Sequence, residues 1–239
     1  MEFNRSRRAF LGSGLAVAGG VLTVGALPAG AGVLTGDAEA APADGAAALR
    51  RLQAGNKRFV AGRSKSLGKW TARRAELAEG QAPFAIVLGC ADSRVPPEIV
   101  FDEGLGDLFV VRVAGNTAAA PIIIGTIEYA ATALGSVLLM VLGHDDCGAV
   151  KAAVDVATKG KVLPGDLPSV AQPILPAVEA VRSQPADALV DAAIQENVRR
   201  AVSSLGAVPL LADLVSANKL TIVGAEYRLK SGKVDLIKP

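Results

Sequence analysis

One histidine, two cysteines, two methionines, two tyrosines and one tryptophan are all that 239 residues contain of these types, and aromatic residues make up only 4% of the chain. Two cysteines allow at most one bridge, which excludes a scaffold built from several disulfides. No run of basic residues follows residue 8, and the formal net charge is only +2, so nucleic-acid binding has little electrostatic support. A small, nearly neutral substrate suits this balance better. Neither internal repeats nor an extended linker follows residue 40. What is abundant is aliphatic: 51% of residues are hydrophobic, too many for a disordered chain and enough for a full core.

The first forty residues read apart from the rest. Arg7-Arg8, followed by Phe10 and Leu11, opens a stretch from Ala9 to Gly36 without a charged residue, and Ala38-Glu39-Ala40 has the small-residue pattern of a cleavage site. This resembles the twin-arginine export signal of bacteria. An uncleaved membrane anchor is the competing reading, because the segment is long enough to span. The absence of a cysteine after the apolar stretch excludes a lipoprotein anchor. The expectation is a signal peptide over 1–40 and one catalytic domain over 41–239. The mature protein would have no stable membrane span and would reside in the periplasm, the cell envelope or outside the cell.

Within 41–239, periodicity predicts helices over 46–62, 71–80, 121–134, 148–160, 186–206 and 209–219. Continuous apolar runs predict buried strands over 83–90, 107–115, 136–143 and 220–227. Residues 161–173, rich in Pro and Gly, read as a loop. Ser231-Gly232 turns the chain into a last strand. Alternating strands and helices predict an α/β domain: a central, mostly parallel sheet of four strands plus a C-terminal antiparallel edge strand, flanked by helices.

In open parallel sheets, ligands bind beyond the carboxyl ends of strands. The first strand runs into "CADSRVPP", with Cys90, Asp92 and Arg94. The third runs into "GHDDCGAV", with His144 and Cys147. Two thiols, one imidazole and one carboxylate form a set that zinc accepts in tetrahedral geometry. Other readings stay open on this ground alone: a satisfied polar histidine, cysteines acting as small hydrophobes, or a Cys90–Cys147 disulfide.

"CADSRVPPEIVFD" and "GHDDCGAV" together resemble the two signature motifs of the β-class carbonic anhydrases. "LQAGNKRF", "GDLFVVRVAGN", "GTIEYA" and "IVGAEYRLKSGKVDLI" follow the same family pattern in order, so the resemblance covers nearly all of 46–238. It implies one zinc ion per subunit held by Cys90, His144 and Cys147, with water or Asp92 in the fourth position. It implies reversible hydration of CO2 to bicarbonate and a proton by a zinc-bound hydroxide. Asp92, paired with Arg94, would orient that nucleophile. Gln81, Phe109 and Tyr129 would line the CO2 pocket, and the Gly148 N–H would meet an anionic oxygen. The family's pocket lies where two subunits meet, so a homodimer or higher homo-oligomer is implied.

Departures from the family pattern sharpen this. Val87 stands where closed, bicarbonate-inhibited members carry tryptophan, although Arg112 matches the arginine of their noncatalytic bicarbonate site; the balance favours the open type. Asp145 occupies a position where Ser or Thr is common, and could tune the metal, transfer protons or simply cap a helix. With no second histidine, proton export falls to buffer, water or carboxylates such as Asp145 and Asp146. Two alternatives remain: a carbon disulfide or carbonyl sulfide hydrolase on the same fold, and a noncatalytic exported protein stabilised by zinc or a disulfide.

Overall fold

The computed structural model describes residues 41–65 and 70–238. The proposed signal over 1–40 lies outside them. The domain opens with α1 (Gly45–Val60), capped by Asp44, whose side chain accepts a hydrogen bond from the Ala47 N–H at 2.7 Å. It is followed by α2 (Trp70–Leu77), β1 (Ala85–Gly89), α3 (Pro97–Val100), β2 (Leu108–Arg112), α4 (Pro121–Thr132) and β3 (Leu138–His144). The second half holds α5 (Gly148–Lys159), α6 (Leu167–Ala171), α7 (Leu175–Ala180), α8 (Leu189–Gly206), α9 (Pro209–Ser216), β4 (Thr221–Tyr227) and β5 (Val234–Ile237). No helix among the described residues is long and apolar enough to cross a membrane.

The strands form one sheet in the order β2-β1-β3-β4-β5, parallel except for the antiparallel edge strand β5. This is the architecture expected from the alternation of elements. Every residue of β1 and β3 is buried, because both strands lie inside the sheet with helices over their faces. Ala48 and Leu52 of α1 pack with Val87, Met140 and Leu142 on one face. Ile127 of α4, Val198 and Ala201 of α8 and Leu211 of α9 pack with Ile86, Leu88 and Val141 on the other. Gly143 and Gly224, on adjacent strands, admit α8: a Cβ at either would lie 2.7 Å from a methyl of Val198. Both positions therefore require the missing side chain for close helix–sheet packing.

The Pro-rich stretch departs from expectation. Residues 161–166 are loop, but α6 begins at Leu167 and continues through a short 3-10 turn into α7. Pro168, Pro173 and Pro176 each fall in the first turn of one of these segments. A first-turn N–H has no intrahelical acceptor to lose, so proline starts these helices where its frequency suggested a loop.

Candidate metal centre

β1 and β3 are neighbours, and their carboxyl ends lie side by side. Cys90 directly follows β1, and His144 is the last residue of β3. The parallel ladder continues past β1 through Val113 N–H to Gly89 C=O at 3.1 Å and Ala91 N–H to Val113 C=O at 3.2 Å. On the β3 side, the Asp145 N–H donates to the Tyr227 carbonyl at 3.1 Å. Asp146 then adopts a left-handed conformation (φ 59°), turning the chain so that Cys147 can cap α5. Asp tolerates this region better than most side chains.

One donor atom from each of Cys90, His144 and Cys147 lies within 4.8 Å of the other two, and all three residues are buried. Both cysteines are free, so the disulfide alternative is not what the structure contains. His144 Nδ1 lies 2.8 Å from the Asp145 carbonyl oxygen. That oxygen only accepts, so Nδ1 carries the proton and Nε2 presents its lone pair. Nε2 is fully buried and has no hydrogen-bond partner. Such an orphan is costly unless something binds it, and it sits with two sulfurs. A neutral imidazole and two sulfur ligands suit zinc, so these three residues would hold it.

The acid–base properties agree. The Cys90 thiol is pulled down to about 4, chiefly by the hydrogen bond from Cys147, against the opposing effect of burial. Cys147 is pushed well above the usual thiol range by that same hydrogen bond and by burial. The pair thus shares one proton between two sulfurs. A divalent cation can replace that proton and stabilise both thiolates. Burial opposes protonation of His144, but the Cys90 thiolate beside it leaves the imidazole above its ordinary value.

Asp92 faces this cluster from the loop after β1, with Oδ2 3.9 Å from His144 Nε2. Arg94 grips both carboxylate oxygens: Nε donates to Oδ1 at 2.9 Å and Nη2 to Oδ2 at 2.8 Å. The Arg94 backbone N–H also donates to Oδ1. These bonds hold the Asp92 carboxyl well below the usual carboxylate range. Arg94 Nη1 lies 3.4 Å from Asp146 Oδ2, and Asp146 is itself paired with Lys151.

Cys90 Sγ accepts a hydrogen bond from the Gly115 N–H at 3.4 Å. The Gly115 carbonyl is in turn held by Asn197 Nδ2 of α8 at 2.9 Å. Gly115 has φ 72°, and a Cβ there would lie 2.6 Å from Ile174 Cδ1. Only glycine brings this N–H to the sulfur without strain. Neither residue was among the sequence candidates. Asn197 did leave a signal: it interrupts the buried stripe Leu189, Ala193, Ile194, Val198 and Ala201 with a polar side chain.

The remaining candidates divide. Gly148 opens α5, with nothing within 4 Å of where a Cβ would stand. Phe109 and Tyr129 meet, their ring centroids 6.3 Å apart, and Tyr129 is 52% exposed. Phe109, however, is level with Ile86, four residues before Cys90. Gln81 precedes β1 and lines a separate cleft with Leu77, Glu98 and Leu108. The strand between Gln81 and Cys90 spans about 16 Å at ~3.3 Å per residue, so one chain does not bring Gln81 to the metal ligands. Arg112 is committed to backbone carbonyls. Asp145 is not a helix cap, a position that Cys147 takes. Its Oδ1 accepts from the Leu229 N–H at 2.7 Å, fastening the β4–β5 hairpin to the metal loop.

Glu226, opposite Gly143 in β4, is buried beside this loop. Burial and the charge of Asp191 raise its carboxyl to about 7, although Arg228 Nη1 lies 2.9 Å from Oε1. Between pH 4.5, its ordinary value, and about 7, the folded chain therefore holds a proton that the unfolded chain has released. Stability from this group is present below that window and is lost as pH rises through it. Glu226→Gln is expected to gain ~3 kcal/mol over the wild type at about pH 8 and almost nothing near pH 4. Urea unfolding of both proteins at the two pH values measures the difference; equal gains at both would contradict it.

The family model described as "Carbonic anhydrase" matches residues 85–234. The chain is 42% identical over 193 residues to carbonic anhydrase 2 of Mycobacterium tuberculosis, spanning 80% of this chain and 91% of that protein. It is 40% identical over 191 residues to a carbonic anhydrase of Mycolicibacterium smegmatis, spanning 80% and 92%. Among solved structures, the β-carbonic anhydrase CafA of Aspergillus fumigatus superposes with a TM-score of 0.65 at 25% identity, covering 81% of this chain and 92% of that one. The chain belongs to the carbonic anhydrase family, in its β class.

Proposed function

We infer that this zinc-dependent lyase carries out the reversible hydration of CO2 to bicarbonate and a proton at the Cys90–His144–Cys147 cluster. The observation that carries the assignment is the buried, unpartnered Nε2 of His144 facing two thiols, with an ionised carboxylate 3.9 Å away. Zinc, when bound, supplies a Lewis acid that acidifies water for attack on the carbon of CO2.

The protein's own residues divide the remaining work. Asp92 serves as a fixed acceptor that gives the reacting water's hydrogen one direction to point. Arg94 keeps that carboxylate ionised and occupies both of its oxygens, which supports the open type of site. The Gly115 N–H stabilises the Cys90 thiolate, and the Gly148 N–H, at the start of α5, suits an oxygen of bicarbonate. Phe109 and Tyr129 supply an apolar, half-exposed wall, while Gln81 stands at the other end of β1. A pocket closed by these three needs a second subunit, so the functional unit is a homodimer or larger homo-oligomer. Export rests on Arg7-Arg8, the uncharged stretch 9–36 and Ala38-Glu39-Ala40; N-terminal sequencing of the exported chain, expected to begin at Ala41, tests it.

Stopped-flow CO2 hydration across pH 6 to 9 tests the function, on protein whose zinc content and mass in solution are measured together. About one zinc per chain, a mass of two chains or more, and a rate rising towards alkaline pH are expected. A rate at the buffer background throughout, with zinc bound, would sink the assignment.

A further inference from the structure

We propose that Arg112 is a positioning residue of the hydration reaction, clamping the Cys90–Asp92 loop so that thiolate and carboxylate keep a fixed relation. Arg112 is the last residue of β2 and pairs with Gly89, the last residue of β1. Beyond this pair the ladder has only the two bonds through Val113, and the carbonyls of Cys90 and Asp92 fall outside it. One guanidinium reaches both: Arg112 Nε donates to Cys90 O at 2.9 Å and Nη2 to Asp92 O at 2.5 Å, where the Val95 N–H also donates at 3.1 Å.

The planar fork of arginine makes this possible, because its donors keep a fixed spacing and can bridge two acceptors at once. A lysine ammonium carries its charge at one point and has no such fork. Asp92 is thereby held at both its side chain and its carbonyl. Arg94 holds its carboxylate from an exposed position, and the half-buried Arg112 holds its carbonyl from the sheet. Arg94 alone can turn the carboxylate; the Val95 bond is local to the turn, and Arg112 is what ties that turn, with the Cys90 carbonyl, to the end of β2. Two engaged donors also argue against the role implied by the family's noncatalytic bicarbonate site, in which this guanidinium would face a ligand.

The inference rests on Cys90 as a ligand and Asp92 as the orienting carboxylate, so Asp92→Asn runs beside it as a control. The test uses the zinc-loaded oligomer and its Co2+-substituted form, with Arg112→Lys and Arg112→Gln. Rates are taken per zinc-loaded chain, so loss of folded protein is not read as loss of positioning. For Arg112→Lys, kcat is expected to fall about 10- to 100-fold with KM changed little. Zinc should escape to a chelator about tenfold faster, and the visible Co2+ bands should shift. Arg112→Gln, with one planar donor group, should fall at least as far. If both variants match the wild type in kcat, Co2+ spectrum and zinc release, the inference is overturned. It is also overturned if the sole change is loss of inhibition by bicarbonate. Slow Asp92→Asn with wild-type-like Arg112→Lys defeats this inference alone; wild-type-like Asp92→Asn defeats the reading of the site beneath it.

Discussion

Cys147→Ser is expected to bring CO2 hydration down to the buffer background and zinc from about one per chain to almost none. The reason lies in the shared proton. Cys90 is pulled down to about 4 because Cys147 donates to it, and Cys147 is pushed up by the same bond. A metal replaces that proton only if both sulfurs can ionise, since the thiolate is the ligand. A serine hydroxyl does not ionise in this range, so the variant offers one thiolate and one imidazole where three ligands stood. Three protein ligands are what catalytic zinc sites use. The fold should survive. Cys147 packs with Val150, Ala171 and Ile174 in an apolar cluster, and serine is no larger than cysteine. Metal analysis, circular dichroism and stopped-flow assay of one preparation separate the outcomes. A folded Cys147→Ser protein that kept zinc and full activity would show that the metal is held elsewhere.

The sequence was most legible where side-chain type carries the structural signal. β1 and β3 read as uninterrupted apolar runs because both lie inside the sheet. The candidate ligands Cys90, His144 and Cys147, together with Asp92 and Arg94, stood out because few residue types do such chemistry and both motifs end strands. Legibility failed where backbone groups make the contacts. Gly115 acts through its N–H, Asn197 through the Gly115 carbonyl, Arg112 through two carbonyls and Asp145 through the Leu229 N–H. Such partners bear no residue-type signature, and the last pair is separated by 84 positions. The helices α6 and α7 were missed for another reason. Proline frequency argues for a loop, while proline position, here in first turns, argues for a helix start. Gln81 fits its motif yet precedes β1, at the end of that strand opposite Cys90, and its cleft with Leu77 and Leu108 left no signature in the sequence.

Asp92→Asn is expected to lower kcat about 100-fold while leaving zinc content unchanged, within the range that a positioned acid–base group contributes. The change is nearly isosteric, so its effect is electronic. Both oxygens of Asp92 accept from Arg94. An amide can offer one oxygen, and its NH2 must then face either the guanidinium, whose groups only donate, or the metal cluster, where an acceptor was needed. Each orientation loses a charge-assisted bond, and one of them reverses the polarity presented to the reacting water. The pH dependence adds a check. Arg94 holds the Asp92 carboxyl so far below its ordinary range that it stays ionised throughout the working pH. The wild-type rate should therefore show no inflection near pH 4 that belongs to Asp92. Over pH 6.5 to 9 the variant should rise in parallel with the wild type at a rate lowered throughout, with no step added or removed at the acid end. A variant that kept the wild-type rate would reduce Asp92–Arg94 to a salt bridge at the rim; one that lost zinc as well would make Asp92 a ligand rather than an orienting group.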